Sequence, residues 1–454
     1  MIKKICSSLL ILCLFFTPGC DNKERVYYSS PGVIPNTHRQ MKSAGFWISR
    51  QPFTDKVILD PAGIASFNSK TEKELKLTRD PSKVGPLYSG EELTSSLTEE
   101  MRNIFDQKLY SQDARRIGKL FYQKMKERIN LEVIPSQINV RYGLICRYAD
   151  QRTLPTEEIV TTEPGDVDFD ELQNSSLDTG TPLAILHETK DGAWVYAHSP
   201  ASSGWIMKDR IAFCGAAELK NYLEKTPFLI VTGAKADIFL DNGLTQYLDY
   251  VRMGARFPCI AGFNSEVIQI SIPFQAEGGK FAERAAYIRR SDVNFGYLAY
   301  TSRNIMQQAF KLLNAPYAWG GKNGEQDCSS FLQEVFSTTG IALPRNSSDQ
   351  GKVGRSLGEF TEKTGDELKM HVLKDQAIAG VAIMQLNGHI FLYLGMYEDR
   401  PYVIHETHAY RQRMWWGGDI AREVNRVVVS DLSLGKGSQK GSLLERIISI
   451  RNVN

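Results

Sequence analysis

A chain of 454 residues is too long for one ordinary hydrophobic core, so we expect about three or four domains of modest size. Its composition, with 42% apolar and 23% charged residues, is that of a globular protein. The 54 basic and 52 acidic residues leave a net charge of only +2, and no candidate helix carries a long basic run, which argues against nucleic-acid binding.

The N-terminus predicts export. The basic "MIKK" precedes the apolar run "ICSSLLILCLFF", which is too short to span a bilayer and is typical of a signal peptide. In "TPGC", Gly19 precedes Cys20 as in a bacterial lipobox, although Thr17 and Pro18 depart from the usual residues. We therefore expect residues 1–20 to be a lipoprotein-type signal peptide and Cys20 to be the lipidation site of a periplasmic protein anchored to a membrane of the cell envelope. The alternative is a plain secretory signal, cleaved or retained.

Residues 21–130 begin as polar sequence rich in Lys, Glu, Ser and Pro, which indicates a tether. The runs "LTEEMRNIFDQKLY" and "ARRIGKLFYQKMKERI" then place apolar residues three and four positions apart, which predicts helices. We expect a tether followed by a mostly helical segment that ends near Asn130.

From residue 131 the pattern changes to short β runs with turn residues about every eight to twelve positions. Residues 131–215 include "DGAWVYAHSPASSGWIMKDRIA", where an Asp-Gly turn joins strands and Trp194 and Trp205 are core or groove aromatics. This segment resembles a bacterial SH3-like domain, and residues 224–290 carry a weaker signal of the same class. The prediction is two consecutive small SH3-like β-barrels.

Residues 294–454 show a third sequence pattern, helical runs followed by strand runs. The helical run "TSRNIMQQAFKLLNA" leads into "APYAWGGKNGEQDCSSFLQEVF", and the strands "VAIMQL", "HIFLYLGMY", "YVIHET", "NRVVVSDL" and "RIISIRNV" follow. Helices followed by an antiparallel sheet make this an α+β domain, and the best candidate for chemistry.

Cysteine is used sparingly in the exported part of the chain, which keeps Cys146, Cys214, Cys259 and Cys328. An obligatory disulfide framework would need more cysteines in so long a chain. We expect the first three to be small buried thiols, and whether Cys146 and Cys214 pair stays open.

Cys328 stands apart because Phe331, Leu332, Val335 and Phe336 follow it at helical spacing. This pattern places Cys328 in the first turn of a buried helix, with Asp327 as the N-cap. Free N–H groups and the helix dipole there are expected to lower the pKa of the thiol. The alternative is that Cys328 is simply a packed core residue.

Two histidines follow on adjacent strands. Asn387 and Gly388 predict a tight hairpin turn, with His389 opening the second strand. If the next turn is centred on Glu398, His389 becomes a diagonal neighbour of His405 on one face of the sheet. His389 would then take the thiol proton while a neutral His405 orients it. Alternation places His408 on the opposite face.

The stretches "PYAWGG", "DCSSFLQEVF", "LPRNSSDQ", "GHIFLYLG" and "VIHET" resemble, in content and order, the NlpC-type papain-like cell-wall cysteine peptidases. The resemblance covers about residues 295–454, and the SH3-like and helical segments resemble the multidomain lipoprotein members of this group. Such enzymes hydrolyse the bond between γ-D-glutamate and meso-diaminopimelate or lysine in peptidoglycan stem peptides.

The resemblance implies a role for each matching residue. Cys328 is the expected nucleophile, His389 the general base and then acid, and His405 the orienting residue. Tyr317 is expected to help hold the oxyanion with the Cys328 N–H. The resemblance places three further residues in the same pocket: Trp319, Asp327 and Ser329.

Substrate-end recognition is expected at Asn346 and Ser347. Relatives that require a free N-terminal L-alanine often carry an aspartate before this serine, to pair with the substrate ammonium. An amide accepts the same hydrogen bond without the charge, and such contacts are weaker by roughly half. An acidic residue of the first SH3-like domain would then have to supply the charge.

The predicted function is therefore hydrolysis of stem peptides or muropeptide fragments by a monomeric enzyme, on short peptides with a free N-terminal L-Ala. No cofactor or metal is expected, because the Cys and His residues lack zinc-ligand spacing. The SH3-like domains either bind the wall or close one end of the cleft, and we favour closure. Two alternatives stay open: a catalytically silent wall-binding lipoprotein, and a papain-like acyltransferase.

Overall fold

The computed structural model describes residues 27–29, 34–361 and 363–454. The predicted signal peptide and Cys20 lie outside the described residues. Within these ranges, no helix combines the length and apolar character needed to cross a bilayer.

The N-terminal part alternates helices with short strands. In chain order these are β1 (Tyr27–Ser29), α1 (Ala44–Ile48), β2 (Val57–Leu59), α2 (Pro61–Lys73), β3 (Leu87–Ser89), α3 (Gly90–Phe105), β4 (Tyr110–Ser111) and α4 (Lys119–Ile129). Asp60 caps α2 by accepting the Gly63 N–H, and Ser89 caps α3 by accepting the Glu92 N–H. The two predicted helical runs are confirmed as α3 and α4.

These N-terminal helices divide between two cores. Leu93 and Leu97 of α3 pack with the first β domain, whereas Trp47 of α1 lies fully buried in the core of the C-terminal domain. There the Trp47 ring packs 5.2 Å from the ring of Tyr402. Part of the segment predicted as a tether therefore covers the C-terminal domain, while the domain boundaries themselves stay a prediction.

The first β domain is an open antiparallel sheet. Its segment contains β5 (Gln137–Asn139), β6 (Arg141–Ile145), β7 (Ala149–Arg152), β8 (Val160–Thr161), β9 (Gln173–Leu177), β10 (Pro182–Glu188), β11 (Trp194–His198), β12 (Ser203–Met207) and β13 (Ile211–Cys214). Seven of these strands pair in the order β13-β6-β10-β11-β12-β7-β9, while β5 pairs with β3 and β8 with β4. Cys146 and Cys214 are free thiols, so they do not pair with each other.

The second β domain is also an open antiparallel sheet. It follows α5 (Ala216–Leu223) and contains β14 (Phe228–Val231), β15 (Lys235–Phe239), β16 (Tyr247–Arg252), β17 (Arg256–Ala261), β18 (Val267–Gln275), β19 (Phe281–Arg289) and β20 (Val293–Phe295). The strand order is β16-β15-β19-β18-β17-β14-β20. The prediction of closed barrels is corrected for both domains, because in the described residues each sheet ends at two edge strands that do not pair with each other.

The C-terminal domain has the predicted order of helices and sheet. It contains β21 (Tyr300–Thr301), α6 (Ser302–Lys311), α7 (Cys328–Ser337), α8 (Ser347–Gln350), β22 (Arg355–Glu359), α9 (Asp366–Asp375), β23 (Ala382–Leu386), β24 (His389–Tyr397), β25 (Arg400–Arg413), β26 (Asp419–Asp431), α10 (Leu443–Arg446) and β27 (Ser449–Asn452). The sheet order is β1-β26-β25-β24-β23-β27-β22, antiparallel except that β1 runs parallel to β26. The α+β class of the fold is confirmed.

Helix α7 is fixed by its predicted apolar face. Phe331, Leu332, Val335 and Phe336 are all completely buried in the same core as β24 and β25. Because these side chains anchor the helix, its first residue, Cys328, has a fixed position relative to the strands that carry His389 and His405.

We predict that Trp47→Ala destabilises the C-terminal domain by about 3–5 kcal/mol, because it removes a large, fully buried ring. Urea denaturation with hydrogen exchange as the readout for β24 and β25 measures this loss. Trp415→Ala is the matched control, since that ring is 92% exposed and its removal should change stability by less than about 0.5 kcal/mol. Equal effects of the two substitutions would contradict the placement of Trp47.

Candidate active site

Cys328 opens helix α7, with Asp327 as the cap before it. The Asp327 carboxylate accepts hydrogen bonds from the backbone N–H groups of Ser329 at 3.1 Å and Ser330 at 2.9 Å. The predicted N-cap is thereby confirmed. At the first helical position the N–H of Cys328 has no intrahelical acceptor and is available as a donor.

A buried ion pair holds this helix start. The Arg345 guanidinium donates Nη1–H to Asp327 Oδ1 at 3.1 Å and Nη2–H to Oδ2 at 2.6 Å, while its Nε–H bonds Ser175 Oγ in β9 at 3.1 Å. Burial alone would raise the pKa of Asp327, but Arg345 and the N–H and O–H donors outweigh it, and the pKa falls to about 2. Asp327 is therefore ionised and ties α7 to the first β domain.

The glycine-rich loop before α7 makes the same connection. In the turn Trp319–Gly324, Gly320 has a φ of 65°, and a Cβ there would lie 2.5 Å from the backbone oxygen of Gln173 in β9. The loop can approach β9 this closely only because the position lacks a side chain.

Two imidazoles face each other on β24 and β25. His389 Nε2 lies 2.7 Å from His405 Nδ1, and His405 Nε2 lies 3.0 Å from Ser430 Oγ on β26. Since Nε2 of His389 is engaged by His405, its free nitrogen is Nδ1. A consistent proton arrangement has His389 donating Nε2–H to His405 and His405 donating Nε2–H to Ser430.

Both imidazoles are held neutral. Burial lowers the pKa of His389 to about 3, with a further decrease from the Arg446 charge and an opposing increase from Asp327. Burial, followed by the neighbouring His389, lowers the pKa of His405 well below its ordinary value. A neutral His405 can accept the His389 N–H, as the predicted orienting role requires.

The expected lowering of the thiol pKa is wrong. Burial raises the pKa of Cys328 to about 12, and the Asp327 carboxylate raises it further, against smaller decreases from the Ile390 backbone N–H and Arg345. The cap residue that favours the helix start thus opposes thiol ionisation. The free site holds a neutral thiol beside a neutral imidazole.

A cavity of about 1080 Å³ joins these groups. Cys328, His389 and His405 line it together with Tyr317 and Trp319. Burial, followed by the neighbouring Cys328 and acidic groups, raises the pKa of Tyr317 well above its ordinary value, so its hydroxyl stays a donor.

The first β domain contributes Phe169 to the lining of this cavity. The Phe169 ring lies 4.8 Å from the ring of His408, 5.4 Å from Trp319 and 6.4 Å from Tyr317. The cavity is therefore formed by two domains.

Four predicted residues do not line the cavity. Asp327 and Ser329 are buried, and the Ser329 hydroxyl bonds both Asp327 and Arg345. Asn346 precedes α8, where it is exposed and makes no side-chain cap bond, and Ser347 begins that helix. Their roles in substrate binding stay a prediction.

His408 does not lie on the face that alternation predicts. The pairing of β25 with β26 shifts between Thr407 and Ala409, and this bulge brings His408 into the same cavity as His405.

Sequence reasoning missed Phe169 and Ser430. Phe169 lies in the irregular segment before β9, which has no periodicity to reveal it. Ser430 pairs with Val403, two residues from His405, so an exact register for β25 and β26 would have placed it.

Two regions of the chain match known families. Residues 314–415 match the NlpC/P60 family, and residues 161–207 match the SH3 domain of the SH3b1 type. The chain carries an NlpC/P60 domain. The SH3 match falls within the first β domain and includes Phe169.

Similarity to individual proteins agrees with this. The chain is 37% identical over 90 residues to a γ-D-glutamyl-L-lysine dipeptidyl-peptidase of Bacillus subtilis, covering 19% of this chain and 30% of that protein. A Bacillus cereus protein of the same name is 23% identical over 235 residues, covering 48% of this chain and 63% of that protein. The chain thus spans less than two thirds of either relative.

A solved NlpC/P60 endopeptidase from Photobacterium damselae subsp. piscicida shares the fold of nearly the whole chain. The TM-score is 0.75 at 19% identity, with 94% of this chain and 99% of that chain covered.

We predict that Gly320→Ala destabilises the contact between the loop and β9 by about 1–3 kcal/mol, because the new methyl group would meet the Gln173 backbone at an unfavourable φ. Hydrogen exchange of β9 and of residues 319–324 measures the effect. Gly365→Ala is the control, since a Cβ there meets nothing within 4 Å. Unchanged protection of β9 in Gly320→Ala would show that the close approach is not a constraint.

Proposed function

We propose that the protein is a cysteine peptidase that hydrolyses the bond between γ-D-glutamate and a diamino acid in peptidoglycan stem peptides. The observation that carries the proposal is the His389–His405–Ser430 chain, which opens into the same cavity as the thiol at the start of α7. The NlpC/P60 match and the names of the two Bacillus relatives support the choice of substrate.

Acylation begins with the Cys328 thiol attacking the γ-glutamyl carbonyl carbon. The thiol proton passes to Nδ1 of His389, while the Nε2–H of His389 continues to donate its hydrogen bond to Nδ1 of His405. The carbonyl oxygen becomes an oxyanion that accepts hydrogen bonds from the Cys328 N–H and the Tyr317 hydroxyl. His389 then gives its proton to the departing amine nitrogen, the C–N bond breaks and a thioester remains.

Deacylation uses the same groups in reverse. His389 takes a proton from water, the resulting hydroxide attacks the thioester carbon, and the C–S bond breaks. The proton returns to sulfur, so the neutral thiol and neutral imidazole are restored.

Phe169 supports a preference for short peptides. This residue of the first β domain lines the cavity and packs against Tyr317 and Trp319, where it would hinder a long or glycan-linked chain. We propose that the acyl part of the substrate is a dipeptide with a free N-terminal L-Ala. For its place in the cell, we propose export to the envelope with Cys20 as the lipid anchor.

We predict that Cys328→Ala and His389→Ala abolish turnover, because one removes the nucleophile and the other its proton acceptor. His405→Ala should retain a small fraction of kcat, since it only orients His389. The measurement is mass spectrometry of a digest of L-Ala-γ-D-Glu-diaminopimelate, its N-acylated twin and intact sacculi, with circular dichroism to confirm folding.

The products of the digest also distinguish a hydrolase from an acyltransferase and from a catalytically silent wall-binding protein. Hydrolysis frees the diamino acid and a dipeptide acid, whereas an acyltransferase would leave a new amide or ester. A silent wall-binding protein would release nothing. Retained turnover in Cys328→Ala or His389→Ala would contradict the assigned roles.

We predict that kcat/KM stays level down to about pH 5, where a histidine of ordinary pKa 6.5 would be mostly protonated. The pKa of His389 is lowered, so its neutral, proton-accepting form persists at lower pH. The acid side of the pH–rate profile therefore shifts to lower pH. The raised pKa of Cys328 likewise shifts the alkaline side of the profile to higher pH. A pH profile with an acid midpoint near 6.5 would contradict the buried, neutral state of His389.

A further inference from the structure

The cavity contains positive charges that the proposed chemistry does not use. Arg446, from the short helix α10, and Arg411 of β25 both line it. Neither guanidinium has a carboxylate partner among the described residues, whereas Asp327 and Arg345 in the same site are fully paired. An unpaired, partly buried cation facing a cavity favours a bound anion.

Arg446 lies near the hairpin that carries His389. Ile448, two residues after Arg446, donates its N–H to the Gln385 carbonyl of β23 at 2.9 Å, and in the same hairpin Leu386 pairs with His389. In the proposed mechanism His389 protonates the departing amine, so Arg446 would face the leaving amino acid. Burial lowers the pKa of Arg446 with no opposing contribution from an acid. An anionic group on the departing amino acid would offset the free-energy cost of removing this guanidinium from water.

The two diamino acids of the proposed substrate differ in one anionic group. Both carry a side-chain ammonium, but diaminopimelate also carries a side-chain carboxylate that lysine lacks. We propose that Arg446 binds this carboxylate and makes the enzyme selective for stem peptides with diaminopimelate at the third position. This rests on the proposed function and goes beyond it, because the Bacillus relatives are named for lysine.

Asp419 provides an internal comparison. Asp419 lines the cavity with a side chain that is 5% exposed, its Oδ1 forms an ion pair with Arg413 Nη1 at 3.6 Å, and its Oδ2 accepts the Gln439 N–H at 2.5 Å. A carboxylate at the cavity attracts an ammonium, which both substrates carry, even though Arg413 offsets part of its charge. Asp419 is therefore expected to act on both equally and Arg446 on only one.

The experiment compares kcat/KM of the full chain for three tripeptides, L-Ala-γ-D-Glu followed by meso-diaminopimelate, by diaminopimelate amidated at its side-chain carboxylate, or by lysine. We expect the wild type to favour the first by roughly 10- to 100-fold, as for one charge-assisted hydrogen-bond pair. Arg446→Met should bring the three values together, and Arg446→Lys should restore part of the preference.

Matched variants test the specificity of the effect. Arg102→Met removes an exposed arginine of α3 and should leave the ratio unchanged. Asp419→Asn should lower all three values by a similar factor. Any effect of Arg446 on the pKa of His389 is common to the three substrates and cancels in the ratio.

Three results would overturn the inference while leaving the proposed function intact. These are equal cleavage of the three substrates by the wild type, an equal loss for all three in Arg446→Met, and collapse of the ratio in Arg411→Met alone. Cleavage of none of them by the wild type would instead overturn the proposed function.

Discussion

Burial of the reacting groups is the constraint on which the site depends. Because Cys328 and both histidines are removed from water, ionisation is disfavoured for each of them, and the pair rests as thiol and imidazole. In the proposed mechanism, proton transfer from the thiol to His389 then has to accompany attack on the substrate. The ring of His389 has to be oriented beforehand, which is what the contacts to His405 and Ser430 provide.

Asp327 is ionised despite its burial, because it is fully paired with Arg345 and with the start of α7. Its contacts to Arg345 and to the start of α7 fix the thiol, and Arg345 also reaches Ser175 in the first β domain. The same domain places Phe169 over the cavity. Removing the domain would therefore alter both the support of the helix and the lining of the cavity.

Local patterns were sufficient for much of the site. The apolar spacing after Cys328 predicted α7, and the Asn387-Gly388 turn correctly opened β24 at His389. The predicted register also holds: Leu392 pairs with Ile404, so Phe391 falls opposite His405. The actual turn contains two residues, Glu398 and Asp399, and a bulge before Gly395 restores the register that a turn centred on Glu398 implied.

What failed depends on distant contacts. The bulge beside His408 reverses simple alternation, and no periodicity marks Phe169, which acts from another domain. The thiol pKa was predicted from the free N–H groups and the dipole at the helix start, which the sequence reveals. The burial of the thiol and the closeness of the Asp327 carboxylate arise only on folding.

The most direct test of the neutral, oriented imidazole pair is nitrogen NMR of protein labelled at its seven histidines, with His389→Ala and His405→Ala for assignment. At pH 7 both rings should be uncharged and carry the proton on Nε2, leaving Nδ1 of His389 free for the thiol. An imidazolium at position 389, or a proton resting on its Nδ1, would contradict the central claim.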